Sequence, residues 1–226
     1  MGDINQYEWV KRHVECLRGP VLEIGSKKYN EAVSYDYRSL LGHLGPYVGT
    51  DLAAGDGVDI VADLTSDFDA LPEPLRETKY GTILCMSVME HVRDVFKFAA
   101  NMRSLLAAGG TAFVSVPWVW RFHGYPSDYW RFSPEALKFL LEPLDLDGAE
   151  SCVSYQQFGN YAPLNSEVLS TYPNYRDDTV PESRAVRMSQ RLLDGVMRCI
   201  SPRLSRRSRP VLYPTMINAY FHSRAA

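Results

Sequence analysis

Three things are missing from this sequence of 226 residues: paired cysteines, a long apolar run and an excess of basic side chains. The four cysteines are scattered with no CxxC pair, which argues against a disulfide framework or a zinc site. No segment is long enough to span a bilayer, and charges near the N-terminus argue against a signal peptide. The formal net charge of -3 argues against general binding to nucleic acids or membrane surfaces. We therefore expect a cytoplasmic protein.

What is present is a composition and a pattern typical of an α/β domain. Hydrophobic residues make up 46% and charged residues 23% of the chain, which is ordinary for a globular protein. Apolar segments of strand length alternate with segments of helix length, which predicts a mostly parallel sheet with helices on both faces. Strands are predicted at residues 21–24, 47–50, 58–63, 80–86, 111–116, 151–155 and 215–222, and helices at 4–17, 35–44, 91–107, 134–141 and 183–200. The last strand is expected at an antiparallel edge.

Small or acidic residues follow the predicted strands at one edge of this sheet. The first strand breaks off at Gly25, and the second ends at Asp51. An α/β sheet forms a nucleotide pocket in this way, because glycine allows close approach and an acidic residue binds the ribose hydroxyls. No second or third glycine follows Gly25, so a pyrophosphate has no cradle. A nucleoside without phosphates fits better, and S-adenosylmethionine (SAM) is the leading candidate.

The order and spacing of several segments resemble a class I SAM-dependent methyltransferase. They are Val-Leu-Glu-Ile-Gly-Ser, Gly-Thr-Asp, Ala-Asp-Leu, Met-Ser-Val-Met-Glu-His-Val and Leu-Leu-Ala-Ala-Gly-Gly-Thr, within residues 20–141. The chain is most similar to the bacterial small-molecule branch, of the methyltransferase type 11-like kind. The resemblance implies a Rossmann-like α/β fold, with a mostly parallel seven-stranded sheet and an antiparallel edge strand. One departure is that Gly25-Ser26-Lys27 replaces the family's usual Gly-x-Gly turn.

The resemblance also implies which residues bind the cofactor, whose product is S-adenosylhomocysteine. Glu23, Gly25 and Ser87 would lie beside the methionine part, and Asp51 would hold both ribose hydroxyls. Asp63 and the residue after it would flank the adenine. Taken singly, Gly25 could be an ordinary turn glycine, and the two aspartates could be helix N-caps. The full predicted set is Glu23, Gly25, Ser26, Asp51, Leu52, Asp63, Leu64, Ser87 and His91.

A second dense feature is the aromatic stretch at residues 117–132, which contains three of the four tryptophans. Aromatic walls with a few polar groups are typical of a pocket that binds a ring or a sugar. The alternative is a structural lid in which Trp130 and Phe132 pack under the sheet and Arg131 pairs with Asp128. We predict acceptor contacts from Trp118, His123, Tyr125, Asp128, Tyr129 and Arg131.

We predict a single methyltransferase domain over residues 1–226. It would comprise an N-terminal helix (1–19), a cofactor-binding core (20–116), an aromatic substrate lid (117–133), and C-terminal helices with closing strands (134–226). A homo-oligomer is compatible with this organisation.

Catalysis on a hydroxyl acceptor requires a base, because an alcohol oxygen attacks poorly while it is protonated. His91 and His123 come from segments next to the predicted site, and Asp128 could orient one of them or bind the substrate. We therefore predict an O-methyltransferase for a sugar or another polyhydroxylated metabolite, with His123, His91 and Asp128 as catalytic residues. Mg²⁺ held by Asp128 and a histidine is an alternative that we do not expect, because no compact carboxylate cluster is present.

Other functions share parts of this pattern. N-methylation of a small amine needs less help from a base. RNA methylation would use the basic run near the C-terminus, but such a run is more typical of a solvated loop. An NAD-dependent oxidoreductase would share the first strand and Asp51 but lacks the glycines that pyrophosphate needs, and a non-catalytic binding protein would lack turnover. We expect a small-molecule acceptor as the partner, and neither a nucleic acid nor a membrane.

Overall fold

A computed structural model describes residues 4–29, 35–124, 126–154, 159, 161–164 and 215–224. By its internal contacts the chain divides into two units, residues 1–165 with 214–226 and residues 166–213. All described residues belong to the first unit. The predicted helix at 183–200, the basic run and Tyr125 lie outside the described residues, and a single domain over 1–226 stays a prediction.

An eight-stranded sheet forms the core of the first unit. Its strands are β1 (Val21–Ile24), β2 (Tyr47–Asp51), β3 (Ile60–Val61), β4 (Tyr80–Met86), β5 (Leu106–Pro117), β6 (Asp145–Ser154), β7 (Tyr161–Pro163) and β8 (Met216–His222). In the order β3-β2-β1-β4-β5 the strands run parallel, and the sheet continues through β8, β6 and β7 with antiparallel pairs. The predicted Rossmann-like sheet with an antiparallel edge is therefore confirmed, with one strand, β7, more than the seven predicted. The last strand, β8, is antiparallel as expected, but it lies between β5 and β6, and β7 forms the edge.

The described residues include five α-helices. They are α1 (Ile4–Lys11), α2 (Tyr37–Leu41), α3 (Glu73–Arg76), α4 (Val95–Leu105) and α5 (Pro134–Leu141). The Asp94 side chain accepts a hydrogen bond from Lys97 N and so caps α4, which explains why this helix starts after the predicted residue 91. Residues 89–91 form a separate 3₁₀ turn. None of the helices in this described part is both long and apolar enough to cross a membrane.

Helices α1 and α2 pack against the central strands through one apolar cluster. β4 is buried along its whole length, as expected for a central parallel strand. The cluster includes Trp9 and Val10 of α1, Tyr37 and Leu41 of α2, Val21 of β1, Leu84 and Met86 of β4, and Phe113 of β5. The strands whose carboxyl ends carry the predicted site are therefore held in place by a closely packed core.

β3 is shorter than the predicted strand at 58–63 because a side chain replaces part of its ladder. The Asp59 carboxylate accepts the hydrogen bond from Gly49 N at 2.7 Å. The same carboxylate pairs with Arg38. The regular ladder with β2 covers Ile60 and Val61, and beside it Asp59 N donates to the Gly49 carbonyl at 2.8 Å.

β5 is longer than predicted, and the Gly109-Gly110 pair lies inside it. The helix predicted at 91–107 would end just before these glycines, but the strand begins at Leu106, directly after α4. Gly109 has φ +65°, and the register with β4 shifts at this place. A glycine absorbs such an irregularity without steric cost, so the strand continues through it.

Candidate active site

The loop after β1 turns sharply at Gly25, which has φ +79°. A Cβ at this position would lie 2.4 Å from Cγ2 of Val88 in the loop after β4. The N–H groups of Gly25 and Ser26 both donate to the Thr50 carbonyl of β2, at 2.8 and 3.1 Å. Both the backbone conformation and the lack of space therefore require glycine here.

Replacing Gly25 with alanine is expected to lower the free energy of unfolding by about 2–4 kcal/mol. The left-handed conformation costs about 1–2 kcal/mol, and the contact with Val88 adds an overpacking cost. In the double variant Gly25→Ala/Val88→Ala, the overpacking cost should disappear, while the cost of the left-handed conformation should remain. Urea unfolding of the original chain, both single variants and the double variant should show a coupling energy of at least about 1 kcal/mol. Simple addition of the two single effects would contradict the close packing.

Asp51 closes β2 beside this loop, and its Oδ2 accepts a hydrogen bond from Lys27 N at 3.2 Å. Ser26 is 5% exposed, and its Oγ has no hydrogen-bond partner within the described part of the chain. A buried hydroxyl in that state is unfavourable unless a bound molecule or water completes it. Leu52, also in the predicted cofactor set, is 62% exposed. The structure thus brings Gly25, Ser26 and Asp51 together.

Glu23 lies on β1 in the wall of a recess at the same edge of the sheet. The recess is lined by residues 23–28 and 35–38 together with Gly57 and Met86. The Glu23 Oε2 accepts a hydrogen bond from Tyr47 Oη at 2.7 Å. Burial raises the pKa of Glu23 to about 7, although the Tyr47 hydrogen bond acts in the opposite direction. A carboxyl group of this kind can present either a donor or an acceptor to a ligand near neutral pH.

Asp63 and Leu64 have local structural contacts. The Asp63 Oδ1 accepts hydrogen bonds from Thr65 N at 2.8 Å and from Thr65 Oγ1 at 2.7 Å, so Asp63 stabilises a turn. Leu64 is 3% exposed, and its carbonyl accepts a hydrogen bond from Asn101 Nδ2 at 2.8 Å. The predicted contact of these residues with adenine stays a prediction.

Ser87 follows β4 with φ +55°, the one positive value for a residue other than glycine among those described. Its Oγ accepts a hydrogen bond from Gln6 Nε2 of α1 at 2.9 Å, and the same amide donates to Ser115 Oγ at 2.7 Å. Ser115 Oγ in turn donates to Asn218 Oδ1 of β8 at 2.6 Å. The N-terminal helix therefore reaches the site through Gln6, a fully buried residue that sequence reasoning missed.

Two histidines and a glutamate meet where the loop after β4 faces the aromatic stretch. One side-chain atom each of Glu90, His91 and His123 lies within 4.8 Å of the others, and the imidazole centroids are 5.0 Å apart. The Nδ1 of His91 lies 2.6 Å from the Ser127 carbonyl. Because a carbonyl only accepts, this Nδ1 carries a proton and Nε2 keeps its lone pair in the neutral ring. Burial lowers the pKa of His91 and raises the pKa of Glu90 to about 7.

Asp128 holds His123 in a similar way. Its side chain is 1% exposed, and Oδ2 accepts from His123 N at 2.8 Å and lies 3.2 Å from His123 Nδ1. Arg131 donates to both carboxylate oxygens, at 2.5 and 2.8 Å, and this contact above all holds the pKa of Asp128 well below its usual range. The Nδ1 of His123 therefore faces a permanent acceptor, and Nε2 is its free basic atom.

The aromatic stretch is seated on the 3₁₀ turn before α4. The N–H groups of Tyr129 and Trp130 donate to the Glu90 carbonyl at 2.8 and 3.3 Å, and Trp130 Nε1 donates to the Val92 carbonyl at 2.7 Å. Phe132 is 3% exposed, whereas Trp130 is 37% exposed. The structural alternative therefore holds for Phe132, but Trp130 lies at the surface and is attached by its indole N–H.

The other aromatic side chains of this stretch differ in their exposure. Trp118 is partly buried, and its N–H donates to the Thr215 carbonyl at 2.9 Å. Tyr129 is 50% exposed and Phe122 is 79% exposed. The aromatic stretch is therefore attached by hydrogen bonds at one end and leaves aromatic side chains accessible to solvent.

No protein-family model and no curated protein sequence matches this chain. Among solved structures, a SAM-dependent methyltransferase from Archaeoglobus fulgidus is similar with a TM-score of 0.52 and 16% identity, over 96% of this chain and 94% of that chain. The chain has the class I methyltransferase fold.

Two further structures share this methyltransferase fold. A TehB-like SAM-dependent methyltransferase from Corynebacterium glutamicum has a TM-score of 0.51 and 15% identity, over 98% of this chain and 89% of that one. The 1,6-didemethyltoxoflavin-N1-methyltransferase from Burkholderia thailandensis, solved with 1,6-didemethyltoxoflavin and S-adenosylhomocysteine, has a TM-score of 0.50 and 12% identity, over 98% of this chain and 79% of that one. At sequence identities of 12–16%, these similarities show a shared fold and nothing more specific.

Proposed function

We propose that this chain is a SAM-dependent methyltransferase that transfers a methyl group to a hydroxyl of a small molecule. The observation that carries the proposal is that two sets of residues lie at the same edge of the sheet of a methyltransferase fold. Gly25 and Asp51 belong to a cofactor side, and His91 and His123 belong to an acceptor side. The loop after β4 connects them, because Val88 lies against Gly25 and the residues that follow lead to His91. His91 was predicted in both the cofactor and the catalytic set, and we assign it to the acceptor side because its ring lies next to that of His123.

The cofactor side fits a nucleoside without phosphates. The Asp51 carboxylate can accept two hydrogen bonds from neighbouring ribose hydroxyls. Ser26 offers a buried Oγ that lacks a partner among the described residues, directly after the sharp turn at Gly25. Lys27 stands where a dinucleotide site would have its second glycine. When bound, SAM supplies a methyl group on a sulfonium sulfur, and this group moves to the acceptor oxygen as the carbon–sulfur bond breaks, leaving S-adenosylhomocysteine.

The acceptor side supplies alignment and a group that takes the proton of the hydroxyl. The His123 ring is held in one tautomer, because the Asp128 carboxylate and the Arg121 carbonyl each lie 3.2 Å from Nδ1. A hydroxyl bound against Nε2 passes its proton to this ring as its oxygen forms the new bond to carbon. Asp128, kept ionised by Arg131, stabilises the imidazolium that results.

The accessible aromatic surface of the lid supports a sugar or another polyhydroxylated metabolite as the acceptor. An amine acceptor would need less help from a base, and the Burkholderia thailandensis neighbour is an N1-methyltransferase. The histidine that Asp128 orients favours a hydroxyl over an amine. A cytoplasmic location and a homo-oligomer stay predictions.

Thermal unfolding in the presence of S-adenosylhomocysteine or NAD tests the proposal. At about 100 times its Kd, S-adenosylhomocysteine should add about 2.7 kcal/mol to the stability. For a chain of this size we expect a rise in Tm of about 5–10 °C. NAD at the same concentration should leave Tm unchanged. Stabilisation by NAD alone, or by neither ligand, would contradict the proposal.

A further inference from the structure

We propose that Glu90, His91 and His123 bind one divalent transition-metal ion beside the acceptor. Their ligand atoms lie within 4.8 Å of one another, and Glu90 Oε1 lies 3.9 Å from His91 Nε2. Ligands with bonds of about 2.0–2.2 Å to one ion stand about 3–3.5 Å apart. Side-chain movements of about 1 Å would therefore close the three ligands around an ion.

The surroundings of the Glu90 carboxyl group favour a bound cation next to it. Its side chain is 1% exposed, and Oε2 has no hydrogen-bond partner in the described ranges. An ionised carboxylate buried in this way is costly unless a cation or a set of donors compensates it. The charge of Arg131 acts on Glu90, but its guanidinium donates to both oxygens of Asp128 instead. A metal ion supplies the missing partner.

The two imidazoles already have the outer contacts of metal ligands. Each has an acceptor at its Nδ1, which is the Ser127 carbonyl for His91 and the Arg121 carbonyl for His123, with the Asp128 carboxylate also 3.2 Å from the latter. Metal-binding histidines almost always donate their second N–H to a carbonyl or carboxylate, because this fixes the tautomer that coordinates. In the part of the chain that the structure describes, this is the one group of three such side chains close enough to share an ion.

The donor set selects the class of metal. Two imidazoles and one carboxylate suit Zn²⁺, Fe²⁺ or Mn²⁺, and they leave positions for an acceptor oxygen or water. Mg²⁺ and Ca²⁺ prefer oxygen ligands and would bind weakly. Asp128 is not among the proposed ligands, because its oxygens contact Arg131 and the Nδ1 side of His123.

This inference rests on the proposed function and refines how the acceptor is activated. A hydroxyl oxygen bound to the ion loses its proton more readily, and this proton passes to water. The oxygen then forms its bond to the methyl carbon as described above. With the ion in place, His91 and His123 are ligands, and His123 no longer takes the proton.

Metal binding by the full chain, freed of metal with EDTA and then of EDTA by gel filtration, tests the inference. Titration with Co²⁺, followed by visible absorption, and with Zn²⁺, followed by calorimetry, should show one ion per chain with a Kd below about 10 µM. Glu90→Gln, which keeps the side-chain volume, should weaken binding at least about 10-fold to 100-fold. The double variant His91→Ala/His123→Ala should abolish it. His222→Ala is a matched control, because His222 of β8 lies 3.5 Å from Asp147 of β6 and no third ligand joins them among the described residues.

The outcomes separate this inference from the proposed function. If the original chain binds neither ion, or if Glu90→Gln binds both ions as tightly as the original chain does, the metal site is wrong. Glu90→Gln removes a buried charge without leaving a cavity, so it remains informative even if the double variant fails to fold. S-adenosylhomocysteine binding is measured in EDTA. If the chain binds S-adenosylhomocysteine but no metal, only the metal site is wrong. If it binds metal at these residues but no S-adenosylhomocysteine, the proposed function is wrong.

Discussion

Replacing both His91 and His123 with alanine is expected to lower the rate of methyl transfer by about 10²-fold to 10⁴-fold. Either imidazole Nε2 can assist the loss of the hydroxyl proton, as a base or as a metal ligand, so the double variant removes both routes. The affinity for S-adenosylhomocysteine should change little, because the hydrogen bonds expected from the cofactor side remain. Release of S-adenosylhomocysteine with an acceptor from a metabolite screen measures the rate.

His43→Ala provides the control for this variant. His43 is exposed in the 3₁₀ turn that follows α2, and its removal should leave the rate unchanged. If the double variant retained full turnover and full cofactor affinity, the assignment of the acceptor side would be wrong. If it lost both turnover and cofactor affinity, the two histidines would instead belong to the cofactor side.

Replacing Asp51 with alanine is expected to weaken S-adenosylhomocysteine binding about 100-fold. Hydrogen bonds to a charged group contribute about 1.5–3 kcal/mol each, and the loss of two to the ribose corresponds to about 3 kcal/mol or more. Calorimetric titration measures the change. Asp56→Ala removes the same charge from an exposed side chain that pairs with Lys28, and it should leave Kd within about twofold. Equal weakening by both substitutions would indicate a general effect of charge and would contradict a specific ribose contact.

The strands that the sequence predicts best are those whose side chains are all buried, as in β4, or nearly all buried, as in β1. β1 and β4 have the predicted bounds, because a near-continuous apolar run has no other stable place than the interior of a sheet. β3 and β5 were harder, because their bounds depend on the Asp59 carboxylate and on the conformation of Gly109. Those are tertiary and backbone details that hydrophobic periodicity does not contain.

The site was predictable where its contacts are local in sequence. Asp128 reaches His123 and Arg131 over a few residues, so the pattern alone suggested both pairings. Gln6 was missed because its contacts to Ser87 and Ser115 span 81 and 109 positions. The role of Glu90 was also hidden, since it depends on residues more than 30 positions away that fold over it.

The seat of the aromatic lid has a consequence for engineering. The lid is tied to the turn at Glu90 and Val92 through their backbone carbonyls, which are present whatever side chains occupy those positions. The accessible side chains at the outer part of the lid, Val119 at 45% and Phe122 at 79% exposure, take no part in this attachment. On the proposed function, a combinatorial library at these two positions should change which acceptors are methylated while the histidines stay where they are.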